Sequence, residues 1–96
     1  MNSYTLSLAA EADLQDIYFY SLEQFGFAQA ENYVEGLANA LSLLAENRKM
    51  GRSFQKVRPG LRRHEHSRHS IYYRIEANGI LILRILGVDQ DPARHL

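Results

Sequence analysis

The chain has 96 residues, 46% of them hydrophobic and 23% charged, with a mean hydropathy of -0.34, which bounds it to a single domain over 1–96 with one hydrophobic core. No apolar run approaches the roughly 18 residues of a membrane span, Met1 to Leu8 lacks the basic and apolar regions of a secretory signal, and the absence of cysteine excludes disulfides, thiolate metal sites and cysteine nucleophiles, so a cytoplasmic protein is expected. The net charge of zero conceals an asymmetry: residues 1–47 hold seven acids and no lysine or arginine, whereas residues 48–74 hold nine bases against the single acid Glu65.

Residues Ser3 to Leu8 alternate, with Tyr4, Leu6 and Leu8 on one side, and predict a half-buried strand. From Ala9 the period lengthens. Leu14, Ile17, Tyr18, Ser21, Leu22 and Phe25 recur at three and four, a helix face that Gly26 ends. Asp13 and Asp16 fall in its early turns, where they favour the positive end of the helix dipole. A second helix is predicted over Ala28 to Asn47 on the stripe Ala30, Tyr33, Val34, Leu37, Leu41, Leu44 and Ala45. The short link through Gly26 makes the two an antiparallel hairpin.

Arg48 to Gly60 reads as a loop with a short extended piece near Phe54 to Val57. Strands follow at Leu61 to His66, Ser70 to Ile75 and Ile80 to Leu86, and Asn78-Gly79 is a hairpin turn signal. The expected architecture is α+β: an N-terminal strand, then an antiparallel two-helix hairpin packed on a mainly antiparallel sheet ending in a three-stranded meander. Strict alternation places Ile71, Tyr73 and Ile75, with Leu81, Leu83 and Ile85, against the helices. The opposite face then shows Tyr72, Arg74, Ile80, Ile82, Arg84 and Leu86. Such a face is too apolar for open solvent, and either another chain or the protein's own tail must cover it.

The charge asymmetry suggests a basic surface for an acidic partner, nucleic acid or protein, unless the two halves neutralise each other across the fold. His64 and His66 share one side of a strand and His69 falls on the other unless a turn intervenes. With Glu65 as the one nearby carboxylate, these read as exposed histidines of a basic strand and turn rather than as a metal site. Tyr18, Tyr20, Tyr33 and Tyr73 read as core-facing or flanking residues.

Taken in order, Tyr4-Thr5-Leu6-Ser7 with Ala10, Ala12-Asp13-Leu14, Ile17, Tyr20, Phe25-Gly26, Gln29-Ala30, Tyr33, Leu44-Ala45-Glu46-Asn47, Gly51-Arg52, Arg58-Pro59-Gly60-Leu61-Arg62, His69-Ser70-Ile71-Tyr72-Tyr73-Arg74, Ile82-Leu83-Arg84-Ile85-Leu86 and the tail Asp91-Pro92-Ala93-Arg94-His95-Leu96 resemble the ParE toxins of the RelE/ParE toxin and antitoxin superfamily. The resemblance implies a type II toxin without a cofactor. It also implies a hetero-oligomer with a ParD-like antitoxin, contact with operator DNA only through that antitoxin, and DNA gyrase as target. The proposed partner face, Tyr72, Arg74, Ile80, Ile82, Arg84 and Leu86, then becomes the candidate antitoxin site, and Arg58, Arg62, Arg63, Arg68 and Arg94 the candidate target site.

Two alternatives stand beside this reading. One is a ribosome-dependent ribonuclease of the RelE type; the other is a degenerate toxin that only binds its antitoxin and helps it repress their operon. Arg62, Arg74 and Arg84 could stabilise a phosphate, and a histidine of the 64–69 segment could act as a base. Where many relatives carry histidine at the end of the last strand, however, this chain has Gly87 followed by Val88, Asp89 and Gln90. That departure removes a proton donor, so no catalytic residue is assigned.

Overall fold

The computed structural model describes residues 3–96; Met1 and Asn2, the first residues of the expected domain span, lie outside the described residues. In chain order the elements are β1 (Ser3–Leu6), α1 (Leu8–Phe25), α2 (Phe27–Glu46), β2 (Arg52–Ser53), β3 (Arg62–His66), β4 (His69–Glu76), β5 (Gly79–Gly87) and α3 (Pro92–His95). The strands form one sheet in the order β1-β5-β4-β3-β2. All neighbours are antiparallel except β1 and β5. This is the α+β architecture expected from the sequence, with β2 added at one edge.

Local chemistry sets the boundaries. Ser7 accepts the Ala10 amide at 3.0 Å as an N-cap and donates its hydroxyl to the Leu83 carbonyl at 2.7 Å. One side chain therefore stops β1 before Leu8 and starts α1. Between the helices, Gly26 at φ 89° takes a conformation that L side chains rarely adopt, and closes α1 through its amide to the Leu22 carbonyl.

The main core joins Ala10 and Ile17 of α1 and Leu37, Leu41 and Leu44 of α2 to Ile71, Tyr73, Ile80, Ile82 and Ile85 of the sheet. Strict alternation is correct for Ile71, Tyr73 and Ile85 but not for the first half of β5. There Ile80 and Ile82 face the helices instead of Leu81 and Leu83. The cause is a bulge: Tyr72 pairs with Arg84 and Tyr73 with Ile82, so Leu83 is an extra residue that inverts the parity.

On the opposite side of the sheet lies a second core of Leu61, Tyr72 and Leu86, covered by Phe54, Val57, Leu83 and Leu96. The Arg63 guanidinium stacks 5.3 Å from the Phe54 ring and 5.9 Å from that of Tyr72, and Arg58 donates to the Leu96 carbonyl at 2.6 Å. The expected extended piece at Phe54 to Val57 is instead a turn folded over this core; the short strand lies just before it at Arg52–Ser53.

Tyr73 is fully buried and locks the return of the chain from α2. Its hydroxyl donates to the Arg48 carbonyl at 2.8 Å and accepts the Gly51 amide at 2.9 Å, while Arg62 donates to the Lys49 and Gly51 carbonyls. A Cβ at Gly51 would stand 2.5 Å from the Tyr73 oxygen, so glycine is required there by close approach. Tyr73→Phe strips two backbone groups of their partner and is expected to destabilise by about 1–3 kcal/mol. Chemical denaturation measures this, and an unchanged midpoint would contradict it.

Asp13, read from the sequence as an early-turn acid favouring the helix dipole, is buried at the uncovered edge of β5. Its carboxylate accepts the Arg84 guanidinium through two 2.8 Å bonds and the Ile85 amide at 2.8 Å. It thereby replaces the neighbouring strand that β5 lacks beyond the end of β1.

Candidate partner-binding site

The structure divides the expected antitoxin residues. Ile80 and Ile82 lie in the main core, and Tyr72 and Leu86 lie under the Phe54 turn and the tail, all four no more than 2% exposed. Arg84 is engaged with Asp13 and with the His95 carbonyl, and Arg74, exposed, pairs with Glu76 at 3.0 Å. The one exposed face expected from alternation is thus absent in the free chain: the bulge turns Ile80 and Ile82 inward, the chain itself covers Tyr72 and Leu86, and Arg74 stays exposed. Replacing Tyr72 and Ile82 with alanine would test the fold rather than a surface.

The expected target residues divide as well. Arg58, Arg62 and Arg63 are half-buried and hold the tail, the Lys49–Gly51 segment and the second core in place. Arg68 and Arg94 are exposed. Arg68 projects from the tight turn between β3 and β4, where Ser67 has φ 54°.

That turn forms one wall of a groove of about 470 Å³ between it and the helical hairpin. Tyr20 and Phe25 come from α1, Gln29, Asn32 and Tyr33 from α2, and Arg68 and His69 from the hairpin turn. Tyr20 is 60% exposed and Phe25 52%, which corrects the expectation that Tyr20 flanks the core. Both continue the apolar helix face past the point where the sheet ends, so nothing among the described residues covers them. The groove is apolar and aromatic inside, with a single cation at its rim.

Tyr33 and His69, which line the groove, belong to a histidine and tyrosine cluster. His66 and His69 are directly paired across the hairpin, so the turn brings His69 onto the face of His64 and His66. The Tyr33 hydroxyl and His69 Nδ1 lie 2.6 Å apart, and the bare Cα of Gly36 faces the His66 ring. Burial first, and then the nearby His66, push the His69 pKa below its ordinary value of 6.5. Burial and His66 also lower that of His64. The Tyr33 hydroxyl and Nδ1 share one hydrogen bond whose donor is set by the His69 tautomer. Among the described residues, no group of three or more His, Asp or Glu side chains is placed to hold a metal ion.

The sign of the pH effect follows. Both histidines bind protons more weakly folded than unfolded, so their contribution to stability is complete above about pH 6.5 and is lost as the pH falls towards their folded values. The urea midpoint is expected to be lower at pH 5.5 than at 7.5, with a smaller difference in His69→Gln. Equal midpoints for the wild-type chain would contradict the assignment.

The two charged halves do not neutralise each other by pairing. Among the described residues, the only salt bridge from an acid of the helical half to a base of the second half is Asp13–Arg84. The remaining helical acids face solvent, as do Lys49, Lys56, Arg68 and Arg94.

Comparison with known proteins bears on the family and the fold. The family model described as ParE toxin of type II toxin-antitoxin system, parDE, matches residues 4–92. The chain is 34% identical over 94 residues to Toxin ParE1 of Mycobacterium tuberculosis, covering 97% of this chain and 96% of that one. It is also 34% identical over 96 residues to Toxin ParE1 of Caulobacter vibrioides, covering 100% and 99%. Among solved structures it superposes on a chain of "Chromosomal ParDE TA system from P. aeruginosa" with a TM-score of 0.79 at 29% identity, over 93% of this chain and 98% of that chain. With sequence, family model and fold in agreement over nearly its whole length, the chain belongs to the ParE toxins of type II toxin-antitoxin systems.

Proposed function

We propose that this ParE-type toxin acts in the cytoplasm by binding rather than by catalysis, that a ParD-like antitoxin neutralises it, and that its target is DNA gyrase. The observation that carries the reading is the open groove walled by Tyr20, Phe25 and Tyr33 with Arg68 at its rim. Exposed aromatics around a hollow, with a charge at the edge, suit an apolar side chain flanked by carboxylates on a partner protein. An acidic antitoxin segment supplies that chemistry, and operator DNA is reached only through the antitoxin.

The side chains that RNA cleavage would require have other work. Arg62 holds backbone carbonyls, Arg74 holds Glu76 and Arg84 holds Asp13, and the His69 Nδ1 is taken by Tyr33. Gly87, where a proton donor would stand, instead donates its amide to the Gln90 side chain at 2.9 Å. Messenger RNA added to a translation extract with the purified chain is therefore expected to stay full length. Site-specific cleavage within codons would overturn the noncatalytic reading in favour of a ribosome-dependent ribonuclease. The gyrase assignment rests on membership of the ParE family.

A further inference from the structure

Two surfaces lie apart from the groove. The first is the outer side of the helical hairpin. Phe19 and Phe27 are 60% and 66% exposed there. Helical spacing puts Asp16 and Glu23 on the side of α1 that carries Phe19, and Glu31 on the side of α2 that carries Phe27. The Phe19 ring packs edge-on against Tyr18 at 5.8 Å, and the Tyr18 hydroxyl lies beside Glu31, whose hydrogen bond raises its pKa. The two aromatic and acidic sets are therefore neighbours across the hairpin. None of the three carboxylates has a cationic partner among the described residues.

The second surface lies at the far end of α2, a helix of 20 residues and so roughly 30 Å long. A hollow of about 500 Å³ is lined by Asn47, Arg48, Lys49, Met50 and Ile75. The core face of β4 runs on here past the end of the helix, leaving Ile75 36% and Met50 41% exposed. Lys49 has no carboxylate partner among the described residues, and Arg48 reaches only the Glu76 carbonyl at 3.3 Å.

One surface is a projecting aromatic knob with unmatched negative charge, and the other is an apolar hollow with unmatched positive charge. The length of α2 keeps them from meeting within one chain. We infer that they meet between chains: the Phe19 and Phe27 knob of one copy seats in the Met50 and Ile75 hollow of a second, its carboxylates against Arg48 and Lys49. Charge complementarity identifies the occupant as a second copy, because a chain of net charge zero that carries both unmatched signs neutralises each by stacking head to tail. The contact joins different surfaces, so it is heterologous and adds copies in sequence rather than closing a two-fold dimer.

Sedimentation velocity of the purified chain tests this. Association should grow with concentration at low ionic strength and weaken with added salt. A knob variant, Phe19→Ser with Phe27→Ser, and a hollow variant, Lys49→Glu with Met50→Ser, should each be monomeric. Mixed, they retain one intact knob and one intact hollow between them and should form a 1:1 dimer that grows no further. Glu23→Lys alone should weaken association, and Glu23→Lys with Lys49→Glu in one chain should restore it, which keeps the test intact if a serine variant fails to fold. A wild-type chain monomeric at every concentration in low salt would overturn the inference. So would knob or hollow variants that still associate, or a mixture that stays monomeric.

Discussion

Asp13→Ala is expected to destabilise the fold by about 3–5 kcal/mol, the usual cost of leaving one partner of a buried ion pair unmatched. The Asp13 side chain is 10% exposed and that of Arg84 20%, so the bereaved guanidinium can recover only part of its solvation. The Ile85 amide loses its acceptor as well. Domains of this size are stable by roughly 5–15 kcal/mol, so the variant should sit near its unfolding threshold at growth temperature. Asp13→Asn, which cannot accept all three donors, should fall between alanine and wild type. A double-mutant cycle with Arg84→Ala separates the pair from the backbone bond, and a loss below about 1 kcal/mol for Asp13→Ala by urea denaturation would contradict the role given to this carboxylate.

In the groove, Tyr20→Ala together with Phe25→Ala is expected to weaken binding of a ParD-like antitoxin by at least about 30-fold, the effect of losing roughly 2 kcal/mol from an aromatic hot spot. Both side chains are more than half exposed in the free chain, so the melting temperature should barely move. Arg68→Glu should weaken binding too, with a change that shrinks as salt is added. Calorimetry against the antitoxin reads both. Unchanged affinity in the double aromatic variant would remove the groove from the antitoxin interface.

The elements themselves were legible because their signals are local. The apolar stripe of α2, the period change after the first strand and the Asn78-Gly79 turn each lie within a few residues of what they specify. The face of β5 was not legible, because Ile80 to Leu83 is apolar at every position and alternation cannot choose between its two sides. The choice is made by the bulge at Leu83, a property of its pairing with Tyr72 and Tyr73. Asp13 escaped for a related reason: a surface acid in an early helical turn and an edge-capping acid look alike until Arg84, 71 positions away, is placed beside it.

The groove was hidden in the same way. Tyr20, Phe25, Tyr33 and Arg68 come from two helices and a hairpin turn, and Tyr20 and Phe25 keep the core's spacing. What distinguishes them is that the sheet ends beneath them, which only the tertiary arrangement shows. The charge asymmetry suggests a partner of opposite sign. Parity then assigned that partner to a face of which Tyr72 and Leu86 are covered by the Phe54 turn and Leu96, and Ile80 and Ile82 lie in the main core.

The most direct measurement is a supercoiling assay with purified DNA gyrase, relaxed plasmid and the purified chain, with and without a ParD-like antitoxin. The account predicts that the chain inhibits supercoiling and traps cleaved plasmid, and that equimolar antitoxin relieves both. Normal supercoiling at a chain concentration that arrests growth in cells would contradict it.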